Sequence, residues 1–155
     1  SPSSAASDVY KRQIKPGVSD QMVCTIDLAG SLARHLGVQL PKDACLDSLD
    51  VMDALLGKKN AEGRTHLIQQ DNGRGGNYGY RVGSWKLQRH DSMKTNNFEV
   101  NKLLGGQRGQ KVPRFALFDL SDDPSEKNNL AEKRPKIFKR MKAELQKFLD
   151  DGRSR

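Results

Sequence analysis

The chain has 155 residues, of which 35% are apolar and 6% aromatic, and its 27 basic against 19 acidic side chains give a formal net charge of +8. No run approaches the ~18 apolar residues that a membrane span needs, two cysteines cannot build a disulfide scaffold, and the mixture of charged and apolar residues excludes wholesale disorder. The apolar content is low for a self-sufficient domain, a hint that part of the core lies elsewhere. The basic excess is local. Residues 14–57 carry 3 basic and 6 acidic side chains, residues 58–110 carry 10 and 4, and residues 111–155 carry 12 and 8. A basic field attracts nucleic acid, acidic lipid or sulfated glycan.

Residues 1–13 are rich in Ser and Ala, lack a starting Met and show no helical or strand period. They predict disorder, and they resemble a translated adaptor tail more than native coding sequence. No signal peptide opens the chain. Ile14 to Ser19 form a Pro-Gly turn. A helix then follows, with Ser19 or Asp20 as caps of an early turn and Thr25 or Asp27 as caps of the main one. Leu28, Leu32 and Leu36 recur every four residues as one apolar stripe, and Gly37 supplies a left-handed stop with Val38 behind it. Residues 47–57 read as a second short helix, stopped by Gly57.

Residues 58–64 are polar loop, 65–70 a strand, and 71–79 a Gly-rich loop. Residues 80–89 alternate as one strand, with Tyr80 and Val82 on one side, Trp85 and Leu87 on the other, and Gly83 as a bulge. Residues 90–111 are polar, with a weak apolar patch at Phe98, Val100, Leu103 and Leu104. Residues 113–120 form a third strand, apolar on both sides near its end, and residues 121–129 a turn rich in Asp and Asn. Residues 135–150 give the clearest helix: Pro135 suits its first position, and Ile137, Phe138, Met141, Leu145, Phe148 and Leu149 define one face. Strands this close together leave no room for parallel crossovers. The order predicts an α+β fold, a small antiparallel sheet with flanking helices.

No nucleophile-and-base signature is present, and His35, His66 and His90 lack metal-ligand spacing. The loop at 73–79 fits neither the dinucleotide fingerprint nor the P-loop. It reads as a hairpin connection, or as an RGG-like segment in which Arg74 and Tyr78 interleave with glycine. Asp119, Asp122, Asp123 and Glu126 form an acidic cluster, but its spacing is not that of an EF-hand, and turn carboxylates usually bond their own backbone. Cys24 and Cys45 read as two buried thiols, although a bridge between them is conceivable.

Residues 117–131, LFDLSDDPSEKNNLA, closely resemble the C-terminal signature of the sulfatases: Leu117, Asp119, Leu120, Asp123, Pro124, Glu126, Asn129, Leu130 and Ala131 all fit. Arg81, Gly83, Trp85, Lys86 and Leu87 resemble the family's R-x-G-x-W-K-L strand. Residues 14–41 resemble its I-K-P-G to G-V-x-L-P stretch, and residues 46–57 its next short helix. Four blocks in the family's order cover residues 14–150. The departures are Gly30 for the common Pro, Ser48 for the common Gly, and YKRQ at 10–13 where the family usually has Trp-Pro-Gly.

The resemblance implies the C-terminal piece of an alkaline-phosphatase-like sulfatase fold. Residues 14–57 would be terminal helices of a catalytic domain, and residues 58–155 a C-terminal subdomain. The Cys-x-Pro-x-Arg motif, whose Cys becomes formylglycine, is nowhere in this chain. Calcium and formylglycine are therefore expected in an N-terminal catalytic part, which would also be the chain's partner. The parent would hydrolyse sulfate esters of a sulfated carbohydrate or aryl sulfate and would be periplasmic or extracellular, and this chain alone would be inactive. The Gly-rich loop would face the substrate cleft through Asp71, Asn72, Arg74 and Asn77. A different reading of the same charge is a basic binding module for nucleic acid or a sulfated polyanion.

Overall fold

The computed structural model describes residues 17–71, 77–90 and 113–154. The expected N-terminal tail and the apolar patch at 98–104 lie outside the described residues. The chain divides into two compact units that meet between Thr65 and His66.

In the first unit, helix α1 spans Asp27–His35. Neither Ser19 nor Asp20 starts a helix: Ser19 only accepts a bond from the Gln21 N–H. Ile26 takes the N-cap position without a side-chain bond, so Thr25 and Asp27 are not caps. The expected stop is as read. Gly37 adopts φ 67°, its N–H donates to the Arg34 carbonyl, and the Val38 N–H donates to the Ala33 carbonyl, the paired bonds of a Schellman end. Helix α2 is only Met52–Leu55, much shorter than the expected 47–57. The backbone at 48–51 is bonded instead to side chains of α1. Leu49 N–H donates to Asp27 Oδ1 at 2.9 Å, and Val51 N–H to Ser31 Oγ at 2.9 Å. Side-chain acceptors competing for backbone donors in this way displace helix.

The second unit is a meander. Strands β1 (His66–Gln70), β2 (Tyr78–Val82), β3 (Trp85–Arg89) and β4 (Phe115–Asp119) form one antiparallel sheet in the order β1-β2-β3-β4. The stretch read as one strand over 80–89 is two. Gly83 and Ser84 form a two-residue turn, Val82 pairs with Trp85, and Gly83 has φ 56°. A Gly at the first central position is the requirement of a II′ hairpin turn. The turn resets the alternation, so Tyr80 and Leu87 become cross-strand partners on the same face.

Across the sheet the row Ile68, Tyr80, Leu87, Leu117 faces helix α3 (Pro135–Asp151). Met141 and Leu145 of α3 are fully buried against it, with Ile137, Phe138, Phe148 and Leu149 around them. Pro135 begins the helix and Gly152, at φ 64°, ends it. Ala116, Leu117 and Phe118 are all buried, so both faces of β4 are covered as expected.

Candidate functional site

The first unit is organised around polar groups. Asp27 and Arg64 have fully buried side chains and form a bidentate pair: Arg64 Nε to Asp27 Oδ2 at 2.6 Å and Nη2 to Oδ1 at 2.7 Å. The Asp27 carboxylate also accepts from the Cys24 and Leu49 N–H groups, at 3.0 and 2.9 Å. Arg64 Nη2 donates to the Asp47 carbonyl, and the Arg64 N–H donates to Met22 at 2.6 Å. Burial alone pushes the Asp27 carboxyl up. The bonds from Arg64, Leu49 and Cys24, with the guanidinium charge, outweigh it and hold the group below the usual range. Arg64 lies in the stretch read as polar loop. Nothing local marks it, because its burial is decided by a carboxylate 37 residues away.

Ala33, Val51 and Ala54 are buried, but many of the larger apolar residues of this unit point outward. Leu28, Leu32 and Leu36 are 44%, 48% and 71% exposed, and Val18, Val23, Ile26, Val38, Leu40 and Leu46 are exposed with them. Apolar surface of this extent marks an interaction site. Beside it an open cavity of about 450 Å³ is lined by residues that include Ala33, Arg34, Val38, Leu40, Lys42 and Cys45. Neither thiol is buried as expected. Cys24 is half-buried and Cys45 exposed, and no bridge joins them.

In the second unit the signature residues lock the sheet to the turn that follows it. Lys86 Nζ meets Glu126 Oε1 at 2.6 Å, and Gln88 Nε2 donates to Glu126 Oε2. Glu126 is held at φ 54°, a left-handed conformation that costs a residue with a side chain stability. The Asn129 carboxamide oxygen accepts from the Leu117 and Ala131 N–H groups, both at 3.0 Å. Asp119 accepts from the Ser121 hydroxyl at 2.7 Å, and Asp123 from the Asn128 N–H at 2.7 Å. The Ser121 bond in the first case and the Asn128 bond in the second hold these carboxyls below their usual range. The acidic cluster thus works as turn architecture. Among the described residues no three His, Cys, Asp or Glu side chains converge on a point where an ion could sit. The described residues make no calcium site, which the resemblance places in an N-terminal part, and neither cysteine lies in a Cys-x-Pro-x-Arg sequence.

The Gly-rich connection leaves the sheet between Gln70 and Tyr78. Of the four residues singled out there, Asn72 and Arg74 lie outside the described residues. Asp71 and Asn77 meet at the neck. Asn77 Nδ2 donates to Asp71 Oδ2 at 2.7 Å, and the Asp71 N–H donates to the Asn77 carbonyl at 3.1 Å. At the same end of the sheet, the Arg89 guanidinium lies 5.8 Å from the centre of the Tyr78 ring. Sequence reading missed this pair, because it treated 80–89 as one strand.

Both units, the helical one built on a buried ion pair and the four-stranded meander with its C-terminal helix, have counterparts among known proteins. No family model matches the chain. It is 31% identical over 146 residues to an N-acetylgalactosamine-6-O-sulfatase of Bacteroides thetaiotaomicron, covering 94% of this chain and 26% of that protein. A solved Bacteroides thetaiotaomicron structure, from work on the metabolism of multiple glycosaminoglycans, superposes with a TM-score of 0.70. The two are 30% identical over 87% of this chain and 26% of the other. A Bacteroides fragilis structure assigned to the sulfatases superposes with a TM-score of 0.56 at 24% identity, which shows the shared fold. The chain is a homologue of the C-terminal portion of the sulfatases and has the fold of that portion. It spans about a quarter of the length of the relatives it matches.

Proposed function

We propose that this chain is the C-terminal part of a sulfatase whose whole protein hydrolyses sulfate esters of a sulfated carbohydrate. The observation that carries the reading is the match over nearly the whole chain to an N-acetylgalactosamine-6-O-sulfatase; in this chain the two signature blocks touch each other through Lys86 and Glu126. The name of that relative favours a sugar sulfate over an aryl sulfate. In this reading formylglycine and calcium belong to an N-terminal catalytic part, which supplies the nucleophile and neutralises the sulfate oxygens. The residues of this chain hold shape and approach substrate. In this reading Asp71, Asn72, Arg74 and Asn77 supply hydrogen-bonding groups suited to a sulfated sugar. The Leu28–Leu32–Leu36 stripe is the seat of the catalytic part, whose apolar surface covers it.

The test is sulfate release from oligosaccharides bearing N-acetylgalactosamine 6-sulfate. The whole protein should release sulfate and the 155-residue chain alone should not. Release by the chain alone, or no release from any sulfated sugar by the whole protein, overturns the reading.

A further inference from the structure

We propose that the N-terminal half of α3 and the adjoining end of the sheet form an exosite for a sulfated polysaccharide chain, apart from the Gly-rich connection. This rests on the sulfated-carbohydrate reading and adds a second place of contact. Residues 133–142 hold six cationic side chains and no carboxylate, and all six are exposed. The first turn of α3 contains no acidic residue. Cations there oppose the positive end of the helix dipole, so this arrangement is unfavourable to the helix until an anion lies on it.

The geometry gives the cations a direction. Lys136, Lys139 and Lys142 stand three residues apart, so they form a diagonal ridge that climbs about 4.5 Å per step. Among the described residues, none of the three has a carboxylate partner. The ridge ends on the sheet: Lys142 Nζ lies 5.0 Å above the centre of the Phe115 ring. Phe115 pairs with Arg89, and Arg89 with Tyr78. Cation, ring, cation and ring thus follow one another from the helix onto the sheet. Anionic groups repeated along a polymer would meet the cations, and the faces of sugar rings would meet the aromatic side chains. A single small anion would use only one step of the ridge.

Binding of the full chain to a size-defined chondroitin 6-sulfate oligosaccharide tests this, beside its chemically desulfated counterpart and an oligothymidine of similar charge. The sulfated probe should bind, and K136Q/K139Q/K142Q should weaken it at least tenfold. The triple variant should also lower the slope of log affinity against log salt by about 2–3. Removing three charges elsewhere, in K42Q/K59Q/K127Q, should change affinity less than twofold, with helicity by circular dichroism equal in both variants. Four results overturn the exosite: equal binding of the desulfated probe, an unaffected triple variant, equal loss in the control variant, or tighter binding of oligothymidine. Each would leave sulfate release by the whole protein untouched, and absence of that release would not alter the binding measurement.

Discussion

The backbone N–H of Gly30 donates to the hydroxyl of Ser48 at 2.9 Å, and a Cβ at position 30 would press into that same hydroxyl. These are two of the positions where the chain departs from the sulfatase pattern that it resembles. The Pro common at 30 lacks the N–H and carries a Cβ, and the Gly common at 48 has no hydroxyl to meet. The two departures are therefore one coupled change. Gly30→Ala should lower stability by about 1–3 kcal/mol through overpacking, although Ala is the better helix former. In Ser48→Gly the same Gly30→Ala change should be neutral or stabilising. Urea midpoints of the four proteins give a coupling energy, and additive effects would show that the contact is not felt.

Asp27 and Arg64 should dominate the stability of the first unit. Removing one member leaves the other charge buried, so Asp27→Ala or Arg64→Ala should cost about 3–5 kcal/mol. The Asp27 carboxyl is held below its usual value in the folded chain. Its contribution is therefore complete above the unfolded carboxylate range, near pH 4, and is lost as pH falls through the lower folded value. Stability measured from pH 6 downward should fall through this window in the parent sequence. The acid-dependent part should be smaller in Asp27→Asn.

The apolar stripe of α1 should be nearly silent in the stability of this chain. Leu32→Gln, at a position 48% exposed, should change the unfolding free energy by less than about 0.5 kcal/mol. Leu145→Ala, at a fully buried position, should cost about 2–5 kcal/mol. In a whole protein that carries the proposed catalytic part, the same Leu32→Gln change should be costly if that part covers the stripe. Thermal denaturation of both proteins measures the difference.

Glu126 should be worth more than an ordinary surface acid. Glu126→Gly relieves the left-handed backbone but removes bonds to Lys86 and Gln88, whereas Glu126→Ala removes the bonds and keeps the strain. The Ala variant should therefore be the less stable of the two by about 0.5–1 kcal/mol. Equal midpoints would mean that the φ of 54° is not costly here.

Much of the fold was legible in the sequence wherever the signal is local. Gly37 and Gly57 end their helices as read, and the α3 face packs as its periodicity required. The errors have different causes. Residues 80–89 alternate well enough to pass for one strand, and only the pairing of Val82 with Trp85 shows that Gly83 and Ser84 turn the chain back. A Gly followed by Ser between alternating runs was a turn signal present in the sequence, but it was read as a bulge. Residues 48–51 have helical propensity, yet Asp27 and Ser31 take their backbone groups from a distance. Arg64 sits among Lys, Asn and Glu that face water, and no pattern in that stretch distinguishes it.

The span between Asp27 and Arg64 sets an order of events during synthesis. On the ribosome the carboxylate emerges 37 residues before its guanidinium, and nascent chains grow from the N-terminus at about 5–20 residues per second. For those seconds α1 has no cation to bury against. The helical unit precedes the meander in the chain but closes only after Arg64 has left the exit tunnel, with the opening strand of the meander next to emerge.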